Sequence, residues 1–214
     1  MIKIYTVKIN NNKTKNNVYI ITNKLQQALI IDPAWDFAGI KSSIKSLNLR
    51  VKGILLTHHH SDHSNLAKKI SHYYNVPVII SKIESDYYKM YFSNQLFCFD
   101  EQEIKIGNIL IRPLVTPGHT KGSVCYLVEN NLFSGDTLFI DGCGICSCEG
   151  GSAIEMFYSL SKLKQILQND ILIYPGHSYR YSSGKSMEFV LNNNIYMQIN
   201  DLTMFRDRRE IGEN

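Results

Sequence analysis

An α/β sandwich, two mixed β-sheets with helices on both outer faces, is the fold that the sequence predicts. Short apolar runs of strand period alternate with segments of helical period along the chain. The order is β-rich, then βαβα, then β-rich again, then αβα, so two comparable halves each supply a sheet and its covering helices. No long linker, repeat or low-complexity stretch divides the 214 residues, and one domain over residues 1–214 is expected.

Each element follows from its own pattern. Residues 2–9 alternate as a strand, NNNKTKNN (10–17) is a polar turn, and VYIIT (18–22) is a second strand. ALIIDPAW (28–35) is a buried strand ending at Asp32-Pro33, and Ile40, Ile44 and Leu47 recur at helical spacing. GILLT (53–57) is a short apolar strand. Asp62 is the expected N-cap of a helix continued by Leu66, Ile70, Tyr73 and Tyr74. VPVII (76–80) is a strand and KIESDYYKMYF (82–92) a helix. From Phe97 the pattern turns to strands: IKI, ILIRPLV, VCYLV and NLFSGD. SAIEMFYSLSKLKQIL (152–167) is an amphipathic helix, ILIYPG (171–176) a strand and SMEFVLNNNIYMQI (186–199) a helix.

Composition narrows the function classes. Hydrophobic residues are 44% and charged residues 20%, ordinary for a globular protein, and the net charge of +4 comes from scattered lysines. No block of like charge suggests a nucleic-acid arm, and no run of eighteen apolar residues suggests a membrane span. The first residues lack a secretory pattern, and five cysteines, an odd number, read as reduced thiols in the cytoplasm. Cys125 lies on a strand and is expected in the core. Cys143, Cys146 and Cys148 are spaced closely enough for a metal or redox pair, but a loop wall beside a cleft is the simpler reading.

Residues 57–65 read THHHSDHSN. In extended chain, residues two apart point the same way, so His58 and His60 can grip one ion. Asp62 and His63 lie past the bend and can face a second. Further ligands are available at His119 in TPGHT, Asp136 in SGDTLF and His177 in YPGHS, each following a strand. His59 sits between two ligands and is assigned to packing or to support of its neighbours. His72, in the helix SHYYN, is read as structural or as a surface residue. Asp32 either fixes a ligand histidine through its other ring nitrogen or simply forms the turn before Pro33.

With these segments the chain resembles the metallo-β-lactamase fold superfamily over most of its length. The resemblance implies an αββα sandwich with the site in the cleft between the sheets. It implies a first metal on His58, His60 and His119, a second on Asp62, His63 and His177, and Asp136 bridging both. His at position 60 and Asp at position 136 favour zinc thioester hydrolases like glyoxalase II, although Zn, Fe or Mn could be native. THHHSDH, TPGHT, SGDTLF and GCG (142–144) all look like glyoxalase II. That family holds glutathione with a basic residue and a tyrosine just after GCG, and with an added C-terminal helical domain. Here GCGICSCEGG places Ile145 after Cys143 and Gly144, and only a helix or so is expected after His177.

GCGICSCEGGSAIEMFYSLSKLKQ, YPGHSY and NNNIYMQI are similar to the zinc-dependent hydrolases of polyketide biosynthesis. That similarity implies cleavage of acyl groups from acyl-carrier-protein thioesters, with a hydroxide shared by two zinc ions as nucleophile and Asp62 orienting it. Cys143, Gly144 and Ile145 would then contact substrate. Hydroxyacylglutathione hydrolase and an iron-dependent persulfide dioxygenase are the alternatives.

Overall fold

A computed structural model describes residues 1–10 and 15–213 of the chain. Among the described residues, twelve strands fall into two sheets. The first holds β1 (Lys3–Asn10), β2 (Lys15–Thr22), β3 (Gln27–Ile31), β4 (Arg50–Leu55), β5 (Val78–Ser81) and β6 (Gln95–Cys98), side by side in chain order. β1, β2 and β3 are antiparallel, and β3 to β6 are parallel. The second sheet holds β7 (Ile104–Ile106), β8 (Ile109–Val115), β9 (Val124–Val128), β10 (Asn131–Gly135), β11 (Leu172–Pro175) and β12 (Lys185–Ser186). Only its β10–β11 pair is parallel. Both sheets are therefore mixed, as the sequence predicts.

Helices cover the outer faces. α1 (Phe37–Ser46), α2 (Ser61–Ser64), α3 (Ala67–Tyr74) and α4 (Lys82–Tyr88) follow strands of the first sheet. α5 (Ala153–Ile166), α6 (Met187–Asn193), α7 (Ile195–Gln198) and α8 (Leu202–Glu213) belong to the second half. No helix among the described residues is long and apolar enough to cross a membrane.

The unbroken apolar strands have a simple cause: they are buried on both faces. Successive side chains on a strand point to opposite sides. Thus Ala28 and Ile30 pack with Ile40, Ile44 and Ile70 beneath the helices, while Leu29 and Ile31 pack with Ile111, Val124 and Phe133 between the sheets. A third cluster, including Leu132, Ile173, Leu160, Val190 and Phe205, joins the second sheet to its helices. Cys125 belongs to that cluster, as expected. Phe133 is fully buried, with ring centroids 5.4 Å from Tyr19 and 5.3 Å from Tyr174. Phe133→Ala is expected to cost about 3–5 kcal/mol of stability, read by denaturant unfolding. A loss under about 1 kcal/mol would mean that this inter-sheet layer is not close-packed.

Several boundaries differ from the sequence expectation. β1 extends through Asn10 and β2 begins at Lys15. The polar turn is thus shorter than 10–17, and residues 11–14 lie outside the described residues. Asp62 is not an N-cap: His60 holds that position, and Asp62 sits in the first turn of α2. The helix expected over 82–92 stops at Tyr88, where Lys89 turns left-handed. The helix expected over 186–199 starts at Met187 and breaks at Asn194. Asn194 is fully buried, and its side-chain amide donates to Phe139 O (3.0 Å) and Gly142 O (2.8 Å). More than a helix follows His177, since α6, α7 and α8 all do, and Phe205 of α8 anchors the last in the core.

Candidate metal centre

All seven predicted ligands lie just beyond the ends of strands. His58, His60, Asp62 and His63 follow β4, His119 follows β8, Asp136 follows β10, and His177 follows β11. The rigid sheets fix where these loops emerge, so residues far apart in sequence converge. Three groups of residues bring one donor atom each within 4.8 Å of one another: His58, His60 and His119 as a first set, Asp62, His63 and His177 as a second, and Asp32 with His58 and His63 between them. Asp136 lies between the sets. Its Oδ2 is 3.6 Å from His119 Nε2 and 3.3 Å from His177 Nε2, and its Oδ1 is 3.4 Å from His63 Nε2. Gly176 permits this convergence, because a Cβ there would stand 2.5 Å from His63 Cε1 and 2.6 Å from Asp136 Oδ1.

The hydrogen bonds behind the site select which ring nitrogen faces it. A carbonyl only accepts, so His119 Nδ1 donates to Ile145 O at 2.7 Å and leaves Nε2 as the lone-pair nitrogen. Asp32 Oδ2 accepts from His63 Nδ1 at 3.0 Å, with the same result. Thr57 Oγ1 donates to Asp32 Oδ2 at 2.6 Å and so accepts from His58 Nδ1 at 3.0 Å. Fixing the remote nitrogen of a ligand histidine sets both ring orientation and basicity. Asp32 thus does more than form a turn: it also accepts from Thr57 N at 2.8 Å and takes a left-handed φ of 50° to do so.

The donor set fits a pair of divalent ions. His58 Nε2 is buried with no hydrogen-bond partner, and so is Asp136 Oδ1. Orphaned buried acceptors of this kind are costly unless a cation takes them. Mixed imidazole and carboxylate donors suit zinc, and also iron or manganese. Protonation states agree in part. Burial, reinforced by the neighbouring histidines, holds His58 well below its ordinary value and His60 down to about 4, so both are neutral and ready to bind. Against the opposing effect of burial, His63 and His177 hold Asp136 below the usual carboxylate range, and the same two histidines with Asn16 do so for Asp62. Burial alone would lower His63, but Asp136, Asp32 and Asp62 outweigh it and raise His63 above its ordinary value.

These shifts fix the sign of a pH dependence. His58 and His60 fold neutral but are protonated in the unfolded chain below about pH 6.5. The unfolded state then binds more protons, so the metal-free protein loses stability as pH falls from about 6.5 toward 4. His63 acts in the opposite sense and offsets part of the loss. The midpoint of thermal unfolding should be lower at pH 5 than at pH 7, and zinc should bind more weakly at pH 5. Equal midpoints and equal affinity would contradict the assignment of these histidines.

A cleft of about 590 Å³ opens over the site. Cys143, Gly144 and Ile145 line it, and Gly144 N donates to Asp136 O at 2.8 Å. Cys148 lines it too, but Cys143, Cys146 and Cys148 form no three-ligand metal group among the described residues. His59 turns away from the ligands and stacks on Tyr88, and His72 is exposed. Sequence reasoning misses Asn16, whose side-chain amide donates to Asp62 O (2.8 Å) and Oδ2 (3.1 Å). In KNN it looks like any turn asparagine. It also misses Phe139, Tyr179, Tyr196 and Arg209 in the cleft wall, the last two brought there by α7 and α8.

Two bacterial relatives match nearly the whole chain. One, 37% identical over 97% of this chain and 94% of its own length, is the "Probable polyketide biosynthesis zinc-dependent hydrolase BaeB" of Bacillus velezensis. The other, 38% identical over 95% of this chain and 91% of its own, is the "Probable polyketide biosynthesis zinc-dependent hydrolase PksB" of Bacillus subtilis. The crystal structure of ETHE1 from Myxococcus xanthus superposes with a TM-score of 0.85 over 96% of this chain and 90% of its own, at 23% identity, and shows the same fold. The family model described as the Metallo-beta-lactamase superfamily matches residues 12–177, a span that contains all seven predicted ligands. Fold, ligand set and family match agree, and the chain belongs to the metallo-beta-lactamase superfamily.

Proposed function

We propose that this chain is a single-domain, zinc-dependent hydrolase that removes acyl groups from acyl-carrier-protein thioesters in polyketide biosynthesis, in the cytoplasm. The observation that carries the reading is the similarity to the two Bacillus hydrolases over nearly the whole length, combined with donor groups that could hold two metals. The residue after GCG supports it. Ile145, half exposed where glyoxalase II carries a basic residue, offers nothing to a glutathione carboxylate.

The donor set at His58, His60, His119, Asp62, His63, His177 and Asp136 would hold two zinc ions, whose Lewis acidity activates water at neutral pH and stabilises charge on the carbonyl oxygen. The protein residues supply position. Asp62, held by Asn16, accepts a hydrogen bond from the attacking water and directs its lone pair at the acyl carbon. Cys143, Gly144 and Ile145 form the wall against which the thioester lies. Water adds to the carbonyl, the C–S bond breaks, and a carboxylic acid and the carrier thiol leave. A thiolate is a good leaving group, with a pKa near 8.5, so no strong acid is needed.

The test is thiol release by the zinc-loaded protein, with kcat/KM measured for an acyl-carrier thioester and for lactoylglutathione. Preference for the carrier by at least about tenfold, some 1.4 kcal/mol in transition-state binding, is expected. Preference for lactoylglutathione would return the chain to the hydroxyacylglutathione hydrolases. Oxygen consumption with an iron-loaded protein and no thiol release would favour the dioxygenase alternative.

A further inference from the structure

We infer that Glu84, on α4, is a positioning residue that fastens the two loops carrying the first metal's histidines to each other. The inference rests on the two-metal reading and deepens it. Glu84 is fully buried, yet it lies between sites that the motifs never connect. Its Oε1 accepts from His59 N and from His59 Nδ1, both at 2.8 Å. Its Oε2 accepts from Gly122 N at 2.8 Å and from Thr120 Oγ1 at 2.9 Å. His59 stands between His58 and His60, and Thr120 follows His119, so one carboxylate joins the loops that present all three ligands of the first set.

The junction is close-packed. A Cβ on Gly122 would stand 2.2 Å from Glu84 N, so only glycine lets the His119 loop approach α4. One helical turn on, Tyr88 extends the same face of α4. Its ring stacks on His59 at 3.6 Å, and its hydroxyl accepts from Lys121 N at 3.2 Å and donates to Glu149 O at 2.6 Å. The second set is held by other residues, Asp32 behind His63 and Asn16 behind Asp62, with Asp32 also reaching His58 of the first set through Thr57. Glu84 therefore governs one metal subsite and not the other.

The chemistry requires a carboxylate. Each of its oxygens accepts a backbone N–H. An amide in its place must turn its NH₂ group against one of them, whichever way it is flipped. Glu84→Gln should therefore open the junction while keeping the side chain's volume.

The test is stepwise zinc affinity of the full chain by competition with a chromophoric chelator, with unfolding midpoints of the metal-free proteins as a fold check. His60→Ala and His177→Ala serve as references for the two sets. E84Q should weaken one ion by about 10–100-fold, the scale for residues that orient ligands, and leave the other within about threefold. It should reproduce the His60→Ala pattern and add little when combined with it. Thr120→Val, a milder cut at the same junction, should show the same selectivity and decides the matter if E84Q does not fold. Unchanged affinities, or equal weakening of both ions, would overturn the inference. A wild-type chain that binds a single ion contradicts the two-metal reading instead, and E84Q then decides the Glu84 assignment by whether it weakens that ion.

Discussion

Asp136→Ala should abolish tight binding of both metals and lower kcat/KM by about 10³-fold or more, on the scale of losing a principal catalytic group. The expectation follows from placement. Asp136 is the one carboxylate within 3.6 Å of donor atoms from both ligand sets among the described residues. Removing it takes a negative charge from between two sites meant for cations and leaves His63, His119 and His177 without the group that faces them. The contrast is His60→Ala, which deletes a ligand of the first set alone and should spare the second ion. Metal analysis beside steady-state kinetics checks both. Two ions still bound by Asp136→Ala with wild-type affinity would refute the bridging assignment.

Asp32→Ala should be the most damaging change outside the ligands, and it should act on stability and metal affinity together. The carboxylate is buried and accepts from Thr57 N, Thr57 Oγ1 and His63 Nδ1. Alanine would leave these donors unpaired and would have to adopt a left-handed backbone that asparagine and aspartate tolerate better. A loss of about 3–5 kcal/mol is expected, as for a broken buried polar network. Zinc affinity should fall about 10–100-fold, because His63 loses its orientation directly and His58 through Thr57. Asp32→Asn should recover much of the stability, since its backbone preference and one acceptor oxygen remain. A stable Asp32→Ala variant with normal metal affinity would show that the turn before Pro33 is its whole role.

The candidate metal centre was legible because its proposed ligands come in short motifs at strand ends, where a strand sets the side chain's direction. The double-sided burial of strands such as ALII and GILL likewise shows in their unbroken apolar runs. What the sequence hid depends on long-range contact. Asn16 and Asn194 look like surface asparagines, and only the fold shows that one holds Asp62 while the other breaks a helix by donating to Phe139 and Gly142. Asp62 read as an N-cap because its residue type favours that position, but the helix starts earlier, with His60 as the cap and Asp62 in the first turn. α8 escaped notice because LTMFRDRRE has few apolar residues, and Phe205 is the apolar residue that joins it to the core among the described residues.

The most direct measurement is titration of the metal-free chain with zinc while thiol release from an acyl-carrier thioester is followed. Activity that is absent without metal and saturates at two ions per chain is the expected result. Saturation at one ion, or thiol release without metal, would contradict a binuclear thioester hydrolase.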